Sequence, residues 1–141
     1  MTLVNARAAL ETAIENAVTT ADSDVTVVFD NMPFTVPGKT KKYVLVTINF
    51  DSATIQAHGA AVDQYVGTVQ CGIFTPRNKG SAAAATIAES VIDGLTSVNA
   101  SGYTDTYSVV PRVGQINGPT AVPYEGSSHF TSVISCTFTA I

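Results

Sequence analysis

Gly38-Lys39-Thr40 is the first place in this sequence where residue types and spacing suggest chemistry. Such a triplet closes the loop that cradles nucleotide phosphates, in the pattern G-x-x-x-x-G-K-[ST] between a strand and a helix. Pro33 stands at the first glycine position. Proline supplies neither the turn conformation nor the amide donor that glycine provides there. After Thr40 the residues "KKYVLVTINF" alternate as a strand does, so no helix N-terminus follows to hold phosphates. The triplet reads as a Pro-Gly turn leading into a basic patch of Lys39, Lys41 and Lys42, and no nucleotide site is expected.

The remaining reactive residues are sparse. His58 and His129 are the only histidines. On a strand, His129 and Cys136 are seven residues apart and point to opposite faces, which removes the simplest local metal pair. No G-x-S-x-G elbow occurs, and the 11 Asp and Glu residues are scattered without an evident catalytic pair. Cys71 and Cys136 both sit in apolar strand patterns and are expected to be buried free thiols. Asn99-Ala100-Ser101 matches a glycosylation sequon, but no secretory signal accompanies it. No catalytic, cofactor-binding or metal-ligating residue is assigned, and the chain is not expected to be an enzyme.

The elements that position these residues follow from periodicity. Leu3, Ala6, Leu10, Ala13, Ile14 and Ala17 recur at helical spacing, predicting an amphipathic helix that ends near Val18. "VTVVFD" is a short strand and "NMPFTVPGKTKK" an irregular connector. From Tyr43 the period becomes two, with Val44, Val46, Ile48 and Phe50 on one face and Thr47 and Asn49 on the other. "HGAAVD" turns the chain, and "QYVGTVQCGIF" is the next strand, with Val69, Cys71 and Ile73 together. A second helix spans about Ser81 to Val98, with an apolar stripe of Ile87, Val91, Ile92, Leu95 and Val98 and a first turn rich in alanine, suited to close backbone approach. "YTDTYSVV" is read as a strand, "PRVGQINGPTAVPYEGSS" as a long loop, and "HFTSVISCTFTAI" as the last strand. Phe130, Ile134, Cys136 and Phe138 face inward there; Thr131, Val133, Ser135, Thr137 and Thr139 face outward. The class is α+β: a largely antiparallel or mixed sheet with two helices packed on one face, residues 1–141 forming one domain.

Composition narrows the function. Charged residues make up 13% of the 141 residues and hydrophobic ones 45%. A globular chain is usually about 25% charged. The polar surface is therefore unusually neutral, as suits packing against copies or partners. The net charge of −4 and only seven Lys and Arg argue against gripping nucleic acid, which needs clustered positive charge. No run of about 18 apolar residues is present, so no membrane span is expected. The N-terminal residues scatter charges among apolar ones and do not read as a signal peptide.

The stretches "MTLVNARAALETAIENAV", "VVFDNMPFTVP" and "KYVLVTINF", with "GIFTPRNKG" followed by the helix "AATIAESVIDGL", resemble the small tail terminator proteins of long-tailed bacteriophages. The Phe-Asp-Asn-x-Pro-Phe stretch at 29–34 is the most specific part, and residues 104–127 carry less of the resemblance. The resemblance implies a structural virion protein at the head-proximal end of the tail, made in the host cytoplasm. It implies a hexameric ring that caps the tail tube protein, ends tube polymerisation and faces the head-neck connector. DNA passes such a ring without specific binding. A neck or head-completion connector is the alternative in the same setting. From another class, a small cytoplasmic ligand-binding domain or enzyme stays open. On the assembly reading, candidate interaction residues are Lys39, Lys41 and Lys42, then Arg77, Lys79 and Arg112 at the irregular segments, and Val133 and Thr137 on the outward face of the last strand. The longer loop is expected to be mobile in the free protein and ordered against a tail partner.

Overall fold

Small residues set the helix layer. The first helix, α1 (Leu3–Ala21), buries Ala6, Ala9, Leu10, Ala13, Ile14 and Val18, one stripe at helical spacing. It runs on to Ala21, past the expected end near Val18. Within this last turn Thr19 donates its hydroxyl to the Glu15 carbonyl at 2.7 Å. The Asp22 amide still bonds Val18 O at 2.9 Å, while the Asp22 side chain accepts from the Asp24 amide at 3.0 Å and turns the chain. The second helix, α2 (Ala82–Ser97), buries Ala84, Ile87, Ala88, Ser90, Val91, Gly94 and Leu95. The two helices approach closely at Gly94. A β-carbon there would lie 2.9 Å from Ala13 O and 3.0 Å from Ala17 Cβ. Close approach of the two helices therefore occurs near the end of α2.

The computed structural model describes residues 3–30, 41–54, 64–76, 82–99, 111–122 and 129–140. Five strands form one sheet: β1 (Thr26–Phe29), β2 (Tyr43–Thr54), β3 (Gln64–Pro76), β4 (Pro111–Val122) and β5 (His129–Ala140), in the order β1-β2-β3-β5-β4. β1 is parallel to β2; every other neighbour is antiparallel. Val44, Val46, Ile48, Val69, Cys71, Ile73, Ile134, Cys136 and Phe138 face the helices and make one core with them. The architecture is α+β with a mixed sheet and both helices on one face, as the periodicity implies.

One segment differs from its sequence reading. Residues 111–122, expected to be a loop, form β4 along the whole outer side of β5. Two glycines and two prolines hide the alternation, yet an edge strand accommodates them. Pro111 is the first strand residue, where no ladder donor is needed. The register slips between Val113 and Ile116 and again between Asn117 and Thr120. Gly118 sits in the second slip at φ +105, which only glycine adopts without strain. The expectation of a loop ordered only by a partner is thereby overturned for these residues. The proposed strand at 103–110, the connector at 31–40 and the turn at 58–63 lie outside the described residues.

Candidate functional site: an uncharged sheet face

Among the described residues, the helices cover one side of the sheet and no helix or strand covers the other. Strand register arranges its side chains in rows. Asn49 pairs with Thr68 and Thr68 with Thr137. Thr47, Gln70, Ser135 and Asn117 form the next row. Leu45, Gly72, Val133 and Thr120 form the third. These three rows contain no charge. At one margin Asp51 accepts a bond from the Thr68 hydroxyl at 3.0 Å. At the opposite end Tyr43 stacks on Phe74, with ring centroids 4.4 Å apart and planes inclined by 6°, and Tyr43 meets the buried His129 edge-on at 5.2 Å. Burial raises the Tyr43 phenol above its ordinary value of 10.0. A face of amides, hydroxyls and small apolar groups costs little to desolvate when its hydrogen bonds are remade, whereas a charged face costs far more.

Val133 is half-buried and Thr137 exposed on this face, as the alternation predicts. β5 is an interior strand between β3 and β4, so its outward residues belong to a broad face. Lys41 is exposed, and its carbonyl accepts from His129 Nε2 at 2.9 Å. Lys42 is tied by its ammonium to Asp22, closing the α1–β1 turn against the start of β2. That hydrogen bond, followed by the one from the Asp24 amide, holds the Asp22 carboxyl below its ordinary value of 3.8. The backbone of Arg112 pairs with Thr139 in β4. Lys39, Arg77 and Lys79 lie outside the described residues. The structure thus gathers Val133 and Thr137 on one surface and places Lys41 near its aromatic end.

Sequence reasoning missed a polar clamp on the β2 side. β1 ends opposite Val46. The Ile48 amide, one step beyond, donates to Asp30 Oδ2 at 3.0 Å, and the Ile48 carbonyl accepts from Arg7 at 2.9 Å. Arg7 and Asp30 join at 3.2 Å. Two side chains therefore supply to Ile48 what a longer β1 would have supplied. Arg7 also lies over the Phe50 ring, 5.7 Å from its centroid, and 3.6 Å from Glu11. Burial pushes the Glu11 carboxyl up despite the lowering effect of Arg7. The signal was present: Asp30 directly follows the strand inside the most specific stretch of the resemblance, and Arg7 is the lone basic residue of α1.

The profile of the family described as phage tail terminator protein matches residues 5–126. The chain belongs to that family. The match spans both helices and β1–β4, and such a terminator is a structural rather than a catalytic component of the virion. No curated protein matches the terminator significantly. A solved structure whose name states no function is similar in fold, with TM-score 0.73 and 22% identity over 100% of this chain and 96% of that one. In the terminator, the buried Cys71 and Cys136 are free, as expected from their strand positions. Burial, with the neighbouring Cys136 adding to it, pushes the Cys71 thiol up to about 12; burial pushes Cys136 to about 11. Neither thiol supplies a nucleophile at neutral pH.

Proposed function

We propose that this terminator closes as a hexameric ring on the head-proximal end of the tail tube, ends polymerisation of the tube protein and offers the surface to which the head-neck connector attaches. The family assignment over residues 5–126 carries the reading. The uncharged rows of the sheet face support it, because interface centres are depleted of charge while ordinary solvent-facing surfaces are not. A chain with net charge −4 also suits a ring through which DNA passes without being held. The protein acts in the virion and is made in the host cytoplasm. Phage particles assembled without it provide the test. Tubes are expected to be over-long, variable in length and without heads, and added protein restores uniform tails. Tails of normal length with heads attached in its absence contradict the proposal.

A further inference from the structure

Successive residues of a strand turn their backbone N–H and C=O groups to opposite sides, so the pairing shows which groups of each edge strand point away from the sheet. Both backbone groups of Ile48 point away from β3, since Asp30 and Arg7 receive them. Phe50, two residues on, turns the same way. β1 stops at Phe29 opposite Val46, and the clamp serves Ile48 only. Past the bulge between Phe50 and Ser52, no described strand lies on this outer side of β2 as far as Thr54. The opposite edge of the sheet is β4. The Val113 amide donates to Asn99 Oδ1 at 3.0 Å, so it points away from β5. The β5 partners of Val113, Ile116 and Ala121 are Phe138, Cys136 and Ser132, which alternate in step. Ile116 and Ala121 therefore also turn their backbone groups outward, and Asn117 to Ala121 are exposed.

β2, β3, β5 and β4 alternate in direction. A second copy laid beside β4 in the same orientation thus presents its β2 antiparallel to it, and the alternation continues across the junction. We propose that the occupant of the β4 edge is a second copy of this chain, its Phe50–Thr54 stretch pairing antiparallel with the outer edge of β4 from Ile116 to Ala121. The inference rests on the ring reading above and names the contact that would close the ring. The two edges differ, so the contact is head-to-tail and propagates around a rotation axis. Residues 113–121 are uncharged, and Asp51, the one charge on the β2 stretch, is bonded by Thr68. The bulges and Pro119 break the ladder into short runs, which makes β4 a poor template for unrelated strands.

Cross-linking tests the pairing. Copies carrying Asp51→Cys are mixed with copies carrying Ala121→Cys, concentrated or added to tails, and treated with a short bis-maleimide; the native thiols are buried. The expected product joins position 51 of one copy to position 121 of another, and a chain bearing both substitutions gives a ladder. Ala121→Pro provides a second measurement. It removes a donor that faces away from β5, so the monomer keeps its ladder. Half-assembly should then need about ten-fold more protein, or about 1.4 kcal/mol. Oligomers seen by light scattering in which same-site links predominate, or in which position 121 joins the tube protein instead, overturn the inference and leave the ring standing. Protein that stays monomeric in solution and on tails overturns both.

Discussion

Replacing Asp30 by alanine removes the acceptor for the Ile48 amide and the partner of Arg7 together. A hydrogen bond to a charged group contributes about 1.5–3 kcal/mol. The Asp30 side chain is 35% exposed, which places the bond at the low end of that range. The Arg7 ion pair, 34% exposed on its own side, adds about 0.2–1 kcal/mol. The combined loss is about 2 kcal/mol. For 141 residues this lowers Tm by about 6–8 °C. Urea unfolding at neutral pH measures the loss, with the midpoint falling and the slope unchanged. Asp30→Asn separates the two parts, because it keeps an oxygen for the Ile48 amide and loses only the charge; about 1 kcal/mol is expected. If alanine costs less than about 0.5 kcal/mol, or asparagine costs as much as alanine, the clamp does not hold the β2 edge as described.

Four further perturbations probe other parts. Gly94→Ala drives a methyl group to 2.9 Å from Ala13 O, so the helices must part; a loss of about 1–3 kcal/mol by urea unfolding is expected, and an unchanged midpoint would falsify the close crossing. The Asp22 carboxyl is lowered in the folded state, so its contribution is present above 3.8 and lost as pH falls through the folded value; Asp22→Asn should weaken the protein at pH 7 and converge with it under acid, and a pH-independent difference contradicts the Lys42 contact. Lys42→Glu should therefore lower Tm, whereas Lys41→Glu should leave Tm unchanged and weaken assembly only if Lys41 meets an acidic neighbour. The thiols should resist a disulfide reagent in the native protein and both react in denaturant; fast native labelling of either contradicts their burial.

The parts of the fold carried by period were legible in the sequence. Both helices, β2, β3 and β5 announce themselves by which residues turn inward, because burial of one face is what their patterns encode. The outward Thr47 and Asn49 were likewise visible before their pairing was known, and register merely aligns them with Gln70 and Thr68. β4 was not legible. An edge strand needs neither continuous alternation nor every donor, so Gly114, Gly118 and Pro119 could occupy it while looking like loop residues. The Arg7–Asp30 clamp was hidden for another reason: it joins residues 23 positions apart, and only the short length of β1 creates the need for it. Lys42 read as a free surface charge because its partner Asp22 sits 20 residues earlier, across a strand.

Cryo-electron microscopy of intact tails at their head-proximal end tests the central claim most directly. One closed ring of six copies is expected on the last layer of the tube, with the uncharged sheet face and the β4 edge occupied by neighbours. A companion sample carrying Val133→Lys and Thr137→Lys should lack that ring while the free protein stays folded. A tail end without this protein, or copies seated as separate units with Val133, Thr137 and the β4 edge open to solvent, contradicts the claim.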